Sequence, residues 1–229
     1  MAAGDATVVL VHGAWADGSS WAKVIASLAA DGTGALAAPL PLTSFEDDVA
    51  ALERTLERAT GPALLVGHAY AGAVIGAARS EKVKALVYVA ALAPDEGETV
   101  ANVFYHAAPH PKAPRLAPDD HGLIWLPKDA FAAAFAQNAS AQEQAVLAAV
   151  QRPLSPACIT VAMGRPLWKD RPAWFLVAEE DRMIVQETQL FMATRMKAQM
   201  RSHPVDHTPM VTAPDVVMRI IREALETIR

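Results

Sequence analysis

Leu64-Leu65-Val66-Gly67-His68-Ala69-Tyr70-Ala71-Gly72-Ala73-Val74-Ile75-Gly76 is the stretch on which the fold turns. Its first three residues form an apolar run suited to a strand buried on both faces, and Ala71 onward offers small and apolar residues suited to a packed helix. Gly67 through Gly72 leave room for only a tight turn between them. Strand, sharp turn and buried helix predict that Ala69 emerges at the carboxyl end of a sheet strand, where a ligand would lie.

Outward from this unit the same alternation repeats. Thr7-Val8-Val9-Leu10-Val11 is a second continuous apolar run, followed by His12-Gly13-Ala14-Trp15 and a helical stretch from Trp21 to Ala30. A short strand over 35–38 follows the glycine break at 31–34. Ser44 caps the next helix, with Glu46, Asp47 and Asp48 in its first turn, where carboxylates favour the helix dipole. Val49, Leu52, Leu56 and Ala59 recur at helical spacing along it. The helix after the turn at 69 is predicted to run to about Arg79. Further strands are expected at 83–91 and 174–178, a helix at 187–200, a short segment at 200–205 and a last helix at 214–228.

Between Pro94 and Arg171 the pattern changes. Prolines gather there, with helix-like pieces at 99–106, 128–137 and 141–151. A stretch this long between two core strands is expected to be a functional lid. The expected organisation is a core of residues 1–93 and 172–229 and a helical lid of residues 94–171. Phe104, Trp125, Phe131, Phe135, Met163 and Trp168 are its candidates for lining an apolar pocket. Each can equally serve to hold the lid on the body.

Composition limits the functions available. The 229 residues are 52% hydrophobic and 20% charged with a formal charge of −5, which fits a globular chain without a basic footprint for nucleic acid or anionic membranes. The one cysteine, Cys158, has no internal partner and no adjacent base, and reads as a small buried hydrophobe. Met1-Ala2-Ala3-Gly4-Asp5 places no positive residue ahead of an apolar core, so no secretory signal is read there and a cytoplasmic location is expected. His106 and His110 flank Pro109 without a further ligand at metal spacing, and no phosphate loop or dinucleotide fingerprint occurs. No metal and no cofactor are expected. The expected partner is a small-molecule substrate or ligand, with no nucleic acid and no membrane, and a homodimer is left open.

Four segments taken together carry a family resemblance: Val11-His12-Gly13-Ala14-Trp15, Val66-Gly67-His68-Ala69-Tyr70-Ala71-Gly72, Glu180-Asp181-Arg182-Met183-Ile184 and Asp206-His207-Thr208-Pro209-Met210. In order and spacing the chain resembles the α/β-hydrolase superfamily, in its small esterase and hydroxynitrile-lyase branch. The resemblance implies an α/β fold with a mostly parallel sheet, helices on both faces and a helical lid inserted between core strands. It implies that Ala69 occupies the nucleophile position, that Asp181 and His207 complete a triad, and that the amides of Ala14 and Tyr70 form an oxyanion hole. His12, Trp15, Phe104, Trp125, Phe131 and Trp168 are expected near the substrate. Ala71 departs from the family's usual glycine and is tolerated if its backbone is already helical.

Other assignments compete. Glu179 and Glu180 adjoin Asp181, and His203 lies inside the presumed last strand, four residues before His207. His68 at the variable position of the turn suits packing better than catalysis, and the Tyr70 side chain is expected to point into the fold or lid. An alanine cannot attack a carbonyl, which leaves three readings: an ester hydrolase acting on a small, largely apolar ester that has lost its serine; a His207/Asp181 general-base enzyme without a covalent intermediate, of lyase or lactone type; and a small-molecule-binding protein without catalysis.

Overall fold

The computed structural model describes residues 6–228, so the reading of Met1 to Asp5 lies outside the described residues. Six strands form one sheet: β1 (Thr7–Val11), β2 (Gly34–Ala38), β3 (Ala63–His68), β4 (Val83–Val89), β5 (Ala173–Ala178) and β6 (Gln199–His203). They lie in the order β2-β1-β3-β4-β5-β6, all pairs parallel. The interior strands β1, β3 and β5 are buried along their whole length, which is why their sequences are continuous apolar runs. The edge strand β6, Gln-Met-Arg-Ser-His, is only half-buried and polar, so its sequence shows no such run.

Between the strands lie α1 (Ala22–Ala30), α2 (Phe45–Glu57), α3 (Ala71–Gly76), α4 (Val100–Phe104), α5 (Ala141–Val150) and α6 (Gln186–Arg195), and after β6 come α7 (Pro209–Thr212) and α8 (Pro214–Glu226). They flank the sheet, with α1 packed on α8 and α2 on α3. The Ser44 hydroxyl caps α2 by accepting from the Asp47 N–H at 3.1 Å. Asp48, read as a dipole-facing carboxylate, is fully buried instead.

Several elements are shorter than their sequence patterns. The helix after the turn ends at Gly76 rather than Arg79, and the one after β5 ends at Arg195 rather than Met200, because residues 199–203 leave to pair as β6. Edge-strand pairing takes precedence over helical spacing there. Over 128–137 the only regular piece is a π-turn, Phe131–Phe135, closed by the Ala136 N–H on the Phe131 carbonyl at 2.8 Å. The other two helical pieces between β4 and β5 appear as α4 and α5. Each has a complete capping box, Thr99 with Asn102 and Ser140 with Glu143.

The parallel order brings the turns after β1, β3 and β5 to one edge of the sheet, and Gly13, Gly67 and Gly72 let them approach closely. A Cβ on Gly13 would lie 2.9 Å from the Ala69 methyl, one on Gly67 2.9 Å from the Ala71 carbonyl oxygen, and one on Gly72 2.4 Å from the Leu92 carbonyl oxygen. Along the same edge four non-glycine residues adopt positive φ: Trp15 (55°), Leu42 (60°), Ala69 (49°) and Ala90 (45°). They follow β1, β2, β3 and β4, four strands adjacent in the sheet. Left-handed conformations cost L-residues about 1–2 kcal/mol each, and such outliers gather where surrounding structure dictates the backbone.

Candidate active site

Ala69 stands between β3 and α3 with its backbone fixed on both sides. Its N–H donates to the Val89 carbonyl at 3.3 Å, and its carbonyl accepts from Gly72 and Leu92 at 3.1 and 2.9 Å. Ala71 is the first residue of α3, so its methyl meets an already helical backbone. Opposite the turn, the loop before α7 carries His207. Its Nδ1–H donates to Asp181 Oδ2 at 2.8 Å, and both side chains are buried. Nδ1 therefore holds the proton, and Nε2 has no partner among the described residues.

Asp181 is held by four donors. Its Oδ1 accepts from the Met183 and Ile184 N–H groups at 2.7 and 2.8 Å, and its Oδ2 accepts from Gln189 Nε2 at 2.9 Å as well as from His207. Gln189 on α6 is the residue that sequence reasoning missed. Eight positions past Asp181, it carries no local signal. Glu179 and Glu180 lie exposed outside this arrangement, with Glu179 accepting from the Ser202 hydroxyl. His203 ends β6 and takes no part in it.

Behind the imidazole, His68 donates from Nε2 to the His207 carbonyl oxygen at 2.7 Å, with ring centroids 4.7 Å apart. Burial, reinforced by the nearby His207, holds the His68 pKa well below its ordinary value, so it is a neutral prop. Phe135 of the π-turn meets His207 edge-on at 5.2 Å. The neighbouring Asp206 is buried too. It accepts from the Asn138 N–H at 3.0 Å, the Thr208 N–H at 3.3 Å and the Thr212 hydroxyl at 2.6 Å. Burial pushes its pKa up despite these bonds.

In front of His207 lies an apolar cavity of about 120 Å³ lined by Ala14, Trp15, Ala69, Tyr70, Phe104, Leu154, Ile159 and His207 among others. The N–H groups of Ala14 and Tyr70 have no acceptor among the described residues. The Tyr70 ring turns away into the fold, its hydroxyl donating to Asp48 Oδ2 at 2.7 Å. Of the aromatic candidates, Trp15 and Phe104 line the cavity. Phe131, Trp125 and Trp168 do not, contrary to expectation. Phe131 packs behind Phe135, Trp125 is 44% exposed with its indole on Asp119, and Trp168 reaches the Pro94 carbonyl. The Phe135 ring likewise lies behind His207, and Met163 is buried elsewhere.

His12, also expected near substrate, is buried beneath the loop. Its Nδ1–H donates to the Gly13 carbonyl at 2.9 Å and its Nε2 accepts from the Leu40 N–H at 3.1 Å. Burial lowers its pKa to about 4. Among the described residues no group of three His, Cys, Asp or Glu could hold a metal ion, and no helix is long and apolar enough to cross a membrane.

Residues 8–220 match the Alpha/beta hydrolase family. The chain belongs to that family. In fold it is similar to a variant of tomato methylketone synthase I complexed with beta-ketoheptanoate (TM-score 0.83, 18% identity, 99% of this chain and 100% of that one). It is similar also to a variant of polyneuridine aldehyde esterase (TM-score 0.81, 19% identity, 96% and 99%) and to a pyrethroid hydrolase from Sphingobium faniae (TM-score 0.81, 20% identity, 97% and 98%). No curated protein sequence matches it. At these identities the likeness establishes the fold of this α/β hydrolase and leaves its chemistry to be argued from its residues.

Proposed function

We propose that this α/β hydrolase is an enzyme without a covalent intermediate. His207, backed by Asp181, moves a proton at a small, largely apolar substrate while the Ala14 and Tyr70 amides hold the negative oxygen that develops. One observation carries this reading: the Asp181-oriented imidazole presents an unpartnered Nε2 to a cavity where residue 69 offers a methyl and no hydroxyl. In this family the turn after β3 bears the nucleophile, and Ala69 has the strand-to-helix position and positive φ that role requires.

The chemistry follows from what remains. Nε2 takes a proton from a bound water or an acidic substrate position, and Asp181 stabilises the imidazolium. Two amides fixed by the backbone, in an apolar cavity, stabilise an alkoxide or enolate without reorganising. Cyanohydrin cleavage, lactone opening and loss of carbon dioxide from a β-keto acid all fit, since none needs a covalent acyl intermediate. The last draws on the ligand named with the methylketone synthase. A cavity near 120 Å³ takes a group about the size of benzene.

The test is turnover of a cyanohydrin, a γ-lactone and a medium-chain β-keto acid by the wild type and by His207→Ala. The expected loss on substitution is about 10²- to 10⁴-fold. Equal rates for the two proteins on every substrate would sink the proposal, and saturable binding without product would favour a carrier.

A second reading, a small-ester hydrolase deprived of its serine, is supported by the names of the esterase and pyrethroid hydrolase that share the fold. Ala69→Ser should then cleave short aryl and alkyl esters. Inertness across such a panel removes it.

A further inference from the structure

Asp48 is a carboxylate in an unusual place. It is fully buried in the first turns of α2 and has no cationic partner among the described residues. Burying a lone carboxyl is costly unless donors surround it. Three donors do, from three separate segments. Oδ1 accepts the Leu42 N–H at 2.8 Å, and Oδ2 accepts the Tyr70 hydroxyl at 2.7 Å and the Cys158 thiol at 3.6 Å.

From Leu42 the connection continues across the cavity wall. The Leu42 carbonyl accepts the Ser155 N–H at 3.0 Å, and Leu154 exchanges backbone hydrogen bonds with Ile124 at 2.9 and 2.8 Å. The Ile124 carbonyl also accepts the Trp15 indole N–H at 3.0 Å. Trp15 follows Ala14. A continuous path thus leaves one of the two free amides through the next residue, crosses the segment between β4 and β5, and returns through Asp48 to the residue bearing the other. Trp15 and Leu42, two of its members, are held at positive φ.

We propose that Asp48 is a positioning residue. By anchoring the Tyr70 ring it fixes the peptide plane that aims the residue-70 amide at the substrate oxygen, and through Leu42 it locks that amide to the cavity wall made by Leu154 and Ile159. The inference rests on the reading of the two amides given above. It extends that reading to the residue that orients one of them, because a ring tethered at its far end restrains the Tyr70 backbone against tilting. Donors misplaced by about an ångström lose about 10²-fold in rate.

The experiment uses the full chain carrying Tyr70→Phe, Asp48→Ala, or both, with two readouts. The first is the amide spectrum and hydrogen exchange of the ¹⁵N-labelled protein. Removing the hydroxyl should shift the residue-70 amide and, further along the path, those of Leu42 and Ser155, and should speed exchange at the hydrogen-bonded Leu42 and Ser155 amides. The second uses p-nitrophenyl butyrate with both substitutions placed in an Ala69→Ser chain. The kcat should fall about 10- to 100-fold with KM little changed, and the double change should cost no more than the larger single one.

Should Asp48→Ala fail to fold, Tyr70→Phe, which deletes a single oxygen, decides the matter alone. Unmoved amide signals, or independent multiplication of the two losses, would overturn the role of Asp48. An Ala69→Ser chain inert to the ester, alongside shifted amides, would remove the ester-hydrolase reading while leaving the Asp48 linkage standing.

Discussion

Two imidazoles in this molecule are held neutral by burial, and His12 shows what that does to stability. Its folded pKa of about 4 lies below the unfolded value near 6.5, so the unfolded chain binds the proton first. Stability from His12 is complete above pH 6.5 and is lost as pH falls towards 4, by about 3 kcal/mol. Asp48 and Asp206 act in the opposite sense, because burial raises their pKa values, so their contribution to stability grows as pH falls. The comparison that isolates His12 is urea unfolding at pH 7 and pH 4.5 for the wild type and His12→Gln. The wild type should lose about 2 kcal/mol more than the variant, and equal losses would contradict the assignment. His12 is also where residue-level reading misled. The motif pointed to the substrate, whereas the pattern Leu40 N–H to Nε2 and Nδ1–H to the Gly13 carbonyl spends both ring nitrogens on the backbone. Asp181 and His207 were legible because their spacing along the chain matches a known order. Gln189, which braces Asp181 from α6, has no such marker.

At the scale of elements, α3 owes its place to a missing side chain. The ideal Cβ on Gly72 would approach the Leu92 carbonyl oxygen to 2.4 Å and the Ala91 methyl to 2.9 Å, and neither is the flexible end of a long chain. Gly72→Ala, stabilising in an open helix, should here cost about 1–3 kcal/mol and lower the urea midpoint. A midpoint equal to or above that of the wild type would mean α3 can slide. Strand and helix identities were readable wherever burial is uniform, as in Thr7–Val11 and Ala173–Ala178, or where caps are explicit, as at Ser44. Ends were not. Residues 187–200 read as one helix because nothing local announces that Gln199–His203 will pair with β5, and 128–137 read as a helix whose only ordered turn is the π-turn at Phe131–Phe135. Both misses come from partners distant in sequence.

Across the whole molecule, the segment between β4 and β5 is joined to the sheet at the same edge that holds the histidine. The Asn138 N–H on Asp206 Oδ2, with Thr212 and Thr208 on Oδ1, ties that segment to the loop before α7 through one buried carboxylate. Asp206→Ala leaves the Asn138 and Thr208 N–H groups unpaired, while the Thr212 hydroxyl keeps the Thr208 carbonyl at 3.2 Å. It should destabilise the chain by about 3 kcal/mol and raise hydrogen exchange around residues 136–140, well away from the substitution in sequence. Protection that stays unchanged at 136–140 would show that the segment is held by its apolar contacts alone. The row of residues in left-handed conformations, Trp15, Leu42, Ala69 and Ala90, has a consequence for improving this protein. Trp15 and Ala69 line the cavity, and at Ala69 and Ala90 the side chain is a single methyl, so glycine at either alanine would relieve torsional tension and make the chain hardier to heat, whereas at Trp15 or Leu42 it would empty core space. The same exchange would let the turn wander. Thermal robustness and a sharply defined cavity are therefore opposed along a single rim, and a programme that selects for heat tolerance should find its gains there at the expense of the cavity's shape.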